Sequence, residues 1–195
     1  MIRLCDIIFS ALGLIILSPL FLIIAIWISL DSPGGVFYRQ TRVGKDGVDF
    51  KLFKFRSMST GSDKKGLITV GMQDSRITKA GQFLRKYKLD ELPQLINVLI
   101  GDMSIVGPRP EVRKYVNLYN EEQQKVLSVR PGITDYASIE YINENEILGK
   151  STNPDQDYIN IIMPDKIRYN MKYINNRSLK EYFKVIFLTL KKIVN

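Results

Sequence analysis

The chain has 195 residues, enough for one domain with a sizeable core and too few for two ordinary domains. It carries 28 Lys and Arg against 20 Asp and Glu, a formal net charge of +8, which favours nucleic acid, acidic lipid headgroups or phosphorylated small molecules as partners. A basic solvated surface without a specific ligand is the alternative. The sequence has no histidine and one cysteine, which excludes a histidine-dependent triad, a Cys/His zinc site and a disulfide framework.

The first predicted element is an N-terminal membrane helix. Residues 7–30 carry no charge, and as a helix this run would be about 36 Å long, against a hydrocarbon core of about 30 Å. A cleavable signal peptide is the alternative, but the run is longer than a typical signal core and no small-x-small cleavage site follows Ile28. We therefore expect residues 1–30 to form a membrane element and residues 31–195 to form a separate domain.

Pro19, preceded by Ser18, falls near the middle of this helix. Proline removes one helical hydrogen bond and clashes with the preceding turn, which predicts a break, with the Ser18 hydroxyl helping to satisfy the freed carbonyl. Each half is then too short to span, so the two halves can enter and leave the same leaflet. A spanning helix with a tolerated proline is the alternative, and basic residues on both flanks do not decide between the two.

A β-hairpin is predicted next. Residues 36–43 and 48–58 have strand composition, and residues 44–47 (GKDG) form a turn sequence between them. The second run mixes aromatic residues with basic ones such as Lys54 and Arg56, a mixture that suits nucleic acid but lacks an accompanying fold signature. A half-buried strand with a basic outer face is the preferred interpretation.

Loops and helices are predicted for the rest of the chain. Residues 59–74 are polar and contain glycine, which predicts a mobile loop. Two prolines and two glycines in residues 101–111 predict a structured loop without regular secondary structure. Helices are predicted over residues 78–87, 111–127, 159–173 and 178–194.

The last of these helices is amphipathic. Its apolar residues fall along one face, and its lysines lie largely off that face. The pattern fits a helix lying in the lipid headgroup region, and it fits packing on the domain's own core equally well. The apolar residues are Leu179, Tyr182, Phe183, Ile186, Phe187, Leu190 and Ile193.

Two adjacent carboxylates, Asp90 and Glu91, precede an apolar helical run that has Pro93 in its first turn. This places Asp90 at or next to the N-cap, where an aspartate is most often a simple cap. The position also suits chemistry, because helix N-terminal N–H groups and the helix dipole favour anions and keep an attacking carboxylate ionised. Two carboxylates there can hold Mg²⁺. The cations that can converge on the pair are Arg85, Lys86, Lys88, Arg109 and Arg130.

Five short motifs occur in order along the first 134 residues. They are Ser18-Pro19 within the apolar helix, residues 53–58 (FKFRSM), 89–95 (LDELPQL), 101–110 (GDMSIVGPRP) and 129–134 (VRPGIT). Together they resemble the bacterial sugar transferases, and more narrowly the small monotopic phosphoglycosyl transferases that start surface-glycan assembly. Five motifs in matching order and spacing are far more specific than any one of them alone.

The resemblance implies that a sugar 1-phosphate passes from a UDP-sugar to polyprenyl (undecaprenyl) phosphate, with Mg²⁺ as cofactor and UMP as the released product. It implies that Asp90 attacks the β-phosphorus to give a phosphosugar-aspartyl intermediate, and that Glu91 is its acidic partner near the metal. Both carboxylates are expected at the metal. The positions carried over as phosphate-binding are Arg56, Arg85, Arg109 and Arg130.

The predicted fold is α+β and mainly helical, with a re-entrant, proline-broken membrane helix over residues 1–30. A small cytosolic catalytic domain over residues 31–195 contains the β-hairpin and amphipathic interfacial helices. The resemblance favours re-entry at Ser18 and Pro19 over a spanning helix. It also implies a location at the cytoplasmic face of the bacterial inner membrane, in contact with phospholipids and without a nucleic-acid partner.

The chain departs from the family pattern after residue 134. Relatives often continue with GWAQVNGRN, whereas residues 135–143 read DYASIEYIN, so Ile142 occupies the slot of the usual arginine. Other residues must then do what this arginine does for the UDP-sugar donor, and the identity of the sugar is left open. A degenerate membrane-bound scaffold that binds lipid or nucleotide without turnover is the alternative, and the intact motifs around Asp90 argue against it.

Overall fold

A computed structural model describes residues 1–62 and 74–194, and the described chain is mainly helical. It begins with a 30-residue helix, α1 (Ile2–Asp31), that continues through Pro19. The Ser18 hydroxyl donates to the Ile15 carbonyl at 2.8 Å, which is the carbonyl that a residue with an N–H at position 19 would bond. The expected compensation by Ser18 is thus confirmed, and Pro19 does not end the helix, whose assignment is continuous from Ile2 to Asp31.

The long helix is apolar enough to cross a membrane, by length and composition, and its most apolar window is only 11% buried. Most of its large side chains are therefore exposed, among them Leu12, Ile16 and Ile23. Exposed apolar surface of this extent costs free energy in water, so α1 indicates association with a membrane.

The predicted hairpin is confirmed. Strand β1 (Phe37–Val43) pairs with β2 (Asp49–Phe55) in an antiparallel register that sets Tyr38 opposite Lys54. The basic outer face expected for β2 is wrong in part, because Lys54 is half-buried and Arg56, just beyond the strand, is buried. Both side chains find anionic or carbonyl partners inside the fold, which sequence alternation does not reveal.

Helix α2 (Lys79–Lys86) confirms the helix predicted over residues 78–87, and the Thr78 hydroxyl caps it by accepting from the Gly81 N–H. A Cβ at Gly81 would lie 1.9 Å from the Ser57 carbonyl oxygen, so only glycine permits this close approach of α2 to the end of the hairpin. The chain then passes through a 3₁₀ turn, Leu89–Glu91, into α3 (Gln94–Ile100).

Residues 101–111 were expected to lack regular structure, and this is wrong for three of them. Strand β3 (Ser104–Val106) pairs in parallel with β4 (Gly132–Thr134). The backbones of Gly107 and Gly132 approach so closely that a Cβ on Gly132 would lie 2.1 Å from the Gly107 nitrogen. The two glycines thus allow a parallel pairing of β3 and β4 that no local sequence pattern predicts.

The C-terminal half consists of short helices and two longer ones. The single helix predicted over residues 111–127 is wrong, because Asn120 caps a new helix with a capping box and so interrupts it. The two C-terminal helices are confirmed, and the loop predicted over residues 59–74 lies mostly outside the described residues. The elements are α4 (Arg113–Val116), α5 (Glu121–Gln124), a 3₁₀ turn (Lys125–Ser128), α6 (Tyr136–Glu140), α7 (Glu144–Gly149), α8 (Pro154–Asp157), a π-helical turn (Tyr158–Ile162), α9 (Met163–Asn175) and α10 (Leu179–Val194).

Both ends of α1 are attached to the rest of the fold. Near its start, the buried Asp6 carboxylate accepts hydrogen bonds from the Ser104 hydroxyl, the Ile105 N–H and the Tyr182 hydroxyl, each within 3.0 Å. At its end, Asp31 accepts from the Ala80 N–H at 3.1 Å. The helix therefore lies along one side of the domain for its whole length.

Helix α10 uses two apolar faces. Tyr182 and Val185 are fully buried against the fold, whereas Phe183, Phe187 and Leu190 are exposed. The exposed face continues the surface of α1, since the rings of Phe9 and Phe183 lie 6.1 Å apart. The two alternatives for this helix, core packing and an interfacial position, are thus compatible, because different residues serve each.

Candidate active site

Asp90 lies in the 3₁₀ turn that precedes α3 and is 7% exposed. The turn is entered through Lys88, whose φ of 57° places it in the left-handed region. The N-cap of α3 is Pro93, with no side-chain cap, so the expectation that Asp90 caps this helix is wrong. Within the described residues no hydrogen bond engages the Asp90 carboxylate, which is left available for another partner.

The Glu91 carboxylate is held between two cations. Lys54 Nζ donates to Oε1 at 2.9 Å, and the Arg109 guanidinium donates to both carboxylate oxygens at 2.5 and 3.1 Å. Lys54 and Glu91 are each less than one fifth exposed. The adjacent carboxylates therefore differ in environment. Glu91 is ion-paired with Lys54 and Arg109, and Asp90 is buried beside this ion pair.

The pKa values of the two carboxylates move in opposite directions. Burial raises the pKa of Asp90, and the neighbouring Glu91 charge adds to the rise while Lys54 and Arg85 oppose it. Burial also disfavours ionised Glu91, but the charges and hydrogen bonds of Arg109 and Lys54 hold its pKa well below the usual value. The helix dipole expected to keep Asp90 ionised is thus outweighed by burial, and nearby cations supply the opposing effect.

Lys54 was missed as a site residue, although it stands in the FKFRSM motif. Burial lowers its pKa, and the Glu91 carboxylate works against that lowering. The strand and the site are joined by the buried Asn97 side chain, which accepts from the Phe53 N–H and donates to the Lys51 carbonyl, each at 2.8 Å. These bonds fix α3 to β2 and so place Lys54 beside the acidic pair.

Arg109 reaches the site from the loop after β3. The Glu91 charge raises the pKa of Arg109 above its usual value, so the guanidinium is permanently charged. Behind the loop, the Arg42 guanidinium donates to the Pro110 carbonyl at 3.0 Å, and Lys166 lies 3.7 Å from Glu111. The arginine therefore projects from a loop that is itself held by buried polar contacts.

Of the other predicted cations, Arg85 and Lys88 are among the charges that lower the pKa of Asp90. Arg56 donates through Nε, Nη1 and Nη2 to the turn that follows α1, with the Gly35, Pro33 and Ser32 carbonyls among its acceptors. Because these bonds engage all three of its nitrogens, the structure gives Arg56 a structural role and leaves no free fork for phosphate.

Arg130 is also placed away from the acidic pair. Its Nε donates at 2.8 Å to the carbonyl of Gly101, the C-cap of α3, whereas Asp90 precedes the N-terminus of that helix. A cation at a helix C-terminus satisfies carbonyls and complements the dipole. Arg130 therefore stabilises the far end of α3 in this structure.

The altered segment after residue 134 contacts the loop of Arg109 through Asp135, which sequence reasoning did not single out. Asp135 is 1% exposed, caps α6 by accepting from the Ser138 N–H, and accepts from the Arg109 N–H at 2.9 Å. Ile142 lies in the turn between α6 and α7 and is partly buried. The segment thus presents a buried carboxylate to the loop of Arg109.

The residues present fit a magnesium ion that is completed by substrate. Among the described residues no group of three or more potential ligands occurs, so an all-protein cage is not formed there. Mg²⁺ is commonly held by one or two carboxylates together with substrate phosphates and water. Asp90 has the free carboxylate for this, whereas both Glu91 oxygens are engaged by cations.

Comparison with known proteins gives the family. The sequence model of the family described as bacterial sugar transferase matches residues 1–195, and the chain belongs to that family. It is 38% identical over 195 residues to a UDP-glucose:undecaprenyl-phosphate glucose-1-phosphate transferase of Escherichia coli, with 96% of this chain and 39% of that protein covered. It is 38% identical over 192 residues to a UDP-N-acetylgalactosamine-undecaprenyl-phosphate N-acetylgalactosaminephosphotransferase of Aeromonas hydrophila, with 97% and 42% covered.

A third relative is nearer in length. The exopolysaccharide production protein PSS of Rhizobium leguminosarum is 37% identical over 195 residues, with 96% of this chain and 92% of that protein covered. The chain spans about two fifths of the length of the Escherichia coli and Aeromonas proteins, 39% and 42% respectively. Its similarity to them therefore lies in one part of each protein.

Proposed function

We propose that the protein transfers a sugar 1-phosphate from a UDP-sugar to polyprenyl phosphate, as the first membrane step of surface-glycan assembly. The observation that carries this proposal is the asymmetric acidic pair: a buried Asp90 without a hydrogen-bond partner in the described chain, next to a Glu91 held by two cations. The names of the relatives, which act on UDP-sugars and undecaprenyl phosphate, support the substrates.

In the first step, an Asp90 carboxylate oxygen forms a bond to the β-phosphorus of the donor. The bond from that phosphorus to the bridging oxygen breaks, and UMP leaves with the electron pair. In the second step, an oxygen of polyprenyl phosphate attacks the same phosphorus and releases the Asp90 carboxylate, which yields polyprenyl-diphospho-sugar. Two displacements let a water-borne donor and a lipid-borne acceptor use one site in turn.

Cations around the pair suit the charge that this chemistry handles. Arg109 presents a planar fork that can exchange its carboxylate partner for phosphate oxygens, and Arg85 lies near enough to act on Asp90. Lys54 keeps Glu91 in place and adds positive charge beside the nucleophile. Mg²⁺, when bound through Asp90 and substrate phosphates, would neutralise charge on the phosphoryl group.

We also propose a monotopic position at the cytoplasmic face of the inner membrane, and the contacts of α1 support the monotopic part of this proposal. A 30-residue helix is about 45 Å long, and a spanning path would separate its ends by a hydrocarbon core of about 30 Å. Yet Asp6 and Asp31, near opposite ends of the helix, both bond to the same domain. A re-entrant path, with the exposed faces of α1 and α10 in lipid, accommodates both sets of contacts.

The test is release of UMP from a panel of UDP-sugars by purified protein in the presence of Mg²⁺ and polyprenyl phosphate. Asp90→Asn should reduce release by at least about 10³-fold, since an amide cannot act as the nucleophile. Asp46→Asn, an exposed carboxylate in the hairpin turn, is the matched control and should leave the rate unchanged. Release by Asp90→Asn at the control rate would refute the role of Asp90. Donor binding without UMP release across the panel would instead favour a non-catalytic scaffold, the possibility raised by Ile142.

A further inference from the structure

We infer that Asp135 is a positioning residue, which fixes the backbone of Arg109 and thereby aims its guanidinium at the acidic pair. The inference rests on the proposed function, because it assigns a role in phosphate binding to a residue that does not itself reach the pair. It also gives a use to the altered segment after residue 134, which otherwise lacks a cation at Ile142.

The parallel pairing of β3 and β4 explains why a carboxylate is needed at this point. The Ser104 N–H donates to the Pro131 carbonyl at 2.8 Å, and the Gly107 N–H donates to the Thr134 carbonyl at 3.0 Å. In the opposite direction, the Gly132 N–H donates to the Pro108 carbonyl at 2.9 Å. Backbone hydrogen bonds thus hold the loop up to the residue before Arg109.

After Gly107, the next N–H that the β3 segment can donate is that of Arg109, because Pro108 has none. No strand carbonyl is there to accept it, since the chain turns into α6 after Thr134. The Asp135 side chain supplies the acceptor instead, with Oδ2 2.9 Å from the Arg109 nitrogen. Its other oxygen, Oδ1, accepts from the Ser138 N–H at 2.5 Å and caps α6. One buried carboxylate therefore ties the loop of Arg109 to the start of a helix.

Both oxygens are needed for this connection. An asparagine offers one acceptor oxygen and an N–H₂ group that would face a donor, so it can satisfy only one of the two backbone N–H groups. A serine retains a good N-cap but has a single short oxygen. Asp135→Ser should therefore keep the cap of α6 and remove the hydrogen bond to the Arg109 N–H.

The experiment is a double-mutant cycle that joins Asp135→Ser with Arg109→Lys, measured as kcat and KM for UMP release. Arg109→Lys keeps a cation and loses the two-pronged fork. In the wild-type background, Asp135→Ser should lower kcat/KM about tenfold, mostly in kcat, while in the Arg109→Lys background it should change kcat/KM less than about twofold. Equal losses in both backgrounds would overturn the inference, since Asp135 would then act independently of Arg109.

The control is Asn120→Ala, which removes the cap of α5, a helix whose cap makes no contact with Arg109. It should lower thermal stability without changing kcat/KM. If Asn120→Ala lowered kcat/KM as much as Asp135→Ser, loss of a helix cap alone would explain the effect and the positioning role would be wrong.

Hydrogen exchange of the Arg109 amide separates this inference from the proposed function. Asp135→Ser should accelerate that exchange at least about tenfold, and Asn120→Ala should leave it unchanged. This measurement does not require turnover. Wild-type protein that releases no UMP from any donor would refute the proposed function, whereas unchanged exchange at Arg109 in Asp135→Ser would refute the positioning contact.

Discussion

Arg109 and Glu91 form a two-point ion pair, with Nη1 donating to Oε2 at 3.1 Å and Nη2 to Oε1 at 2.5 Å. Lys54 adds a third hydrogen bond to the same carboxylate at 2.9 Å. These hydrogen bonds fix the Glu91 carboxylate, whereas the Asp90 carboxylate remains available to another partner. Under the proposed function, Asp90 is therefore the carboxylate that is free to react.

Replacing Glu91 by glutamine should destabilise the protein. The two cations would lose their counter-charge, and the amide N–H₂ group would face other donors, so we expect the free energy of unfolding to fall by about 2 kcal/mol. Chemical denaturation in detergent measures the change. Glu122→Gln, which breaks an exposed pair with Lys125, is the control and should change it by less than about 0.5 kcal/mol. Equal changes in the free energy of unfolding for the two variants would show that the ion pairs of Glu91 do not stabilise the protein.

Replacing Lys54 by methionine should shift the acidic limb of the kcat/KM profile to higher pH. The positive charge of Lys54 lowers the pKa of Asp90 against the effect of burial, so its removal raises that pKa further. In the proposed mechanism Asp90 attacks only when ionised, so activity should be lost at a higher pH as the pH falls. UMP release across a pH series measures the limb. Lys51→Met, an exposed lysine on the same strand, should leave the limb in place, and a shift to lower pH with Lys54→Met would contradict the assignment.

Replacing Gly81 by alanine should destabilise the domain although alanine is the better helix former. The added Cβ, whose position the helix backbone fixes, would lie 1.9 Å from the Ser57 carbonyl oxygen, which is itself a backbone atom. We expect a loss of more than about 2 kcal/mol, against a gain of about 1 kcal/mol from helix propensity. Thermal melts compare this variant with Gly35→Ala, whose Cβ would meet nothing closer than 3.8 Å. Comparable stability of the two variants would mean that α2 does not pack on Ser57 as described.

Cysteine labelling should place both ends of α1 on the cytoplasmic side. In a Cys5→Ser background, Leu4→Cys puts a thiol on an exposed position near the start of the helix, and Lys45→Cys puts one on the hairpin. A membrane-impermeant maleimide should modify both in inside-out vesicles and neither in intact spheroplasts. Modification of Leu4→Cys in spheroplasts would show that α1 crosses the bilayer.

The sequence alone determined the features that depend on local pattern. Hydrophobicity marked α1, strand composition and a GKDG turn marked the hairpin, and the order of motifs pointed to Asp90, Glu91 and Arg109. Local reasoning failed where a distant partner changes the outcome. The two short strands beyond residue 101 pair across 28 residues of sequence, as in Ser104 opposite Gly132, and neither run is long enough to be recognised by periodicity.

Only the tertiary structure decided the roles of the charged residues. Arg56, Arg109 and Arg130 are equally basic in sequence, but one clamps a turn, one pairs with Glu91 and one bonds the end of α3. Lys54 and Asp135 acquire roles because α3 is fixed to β2 and β4 is paired with β3. A side chain's charge is fixed by its covalent structure, whereas its partner and its burial depend on which distant segments the fold brings within about 3 Å.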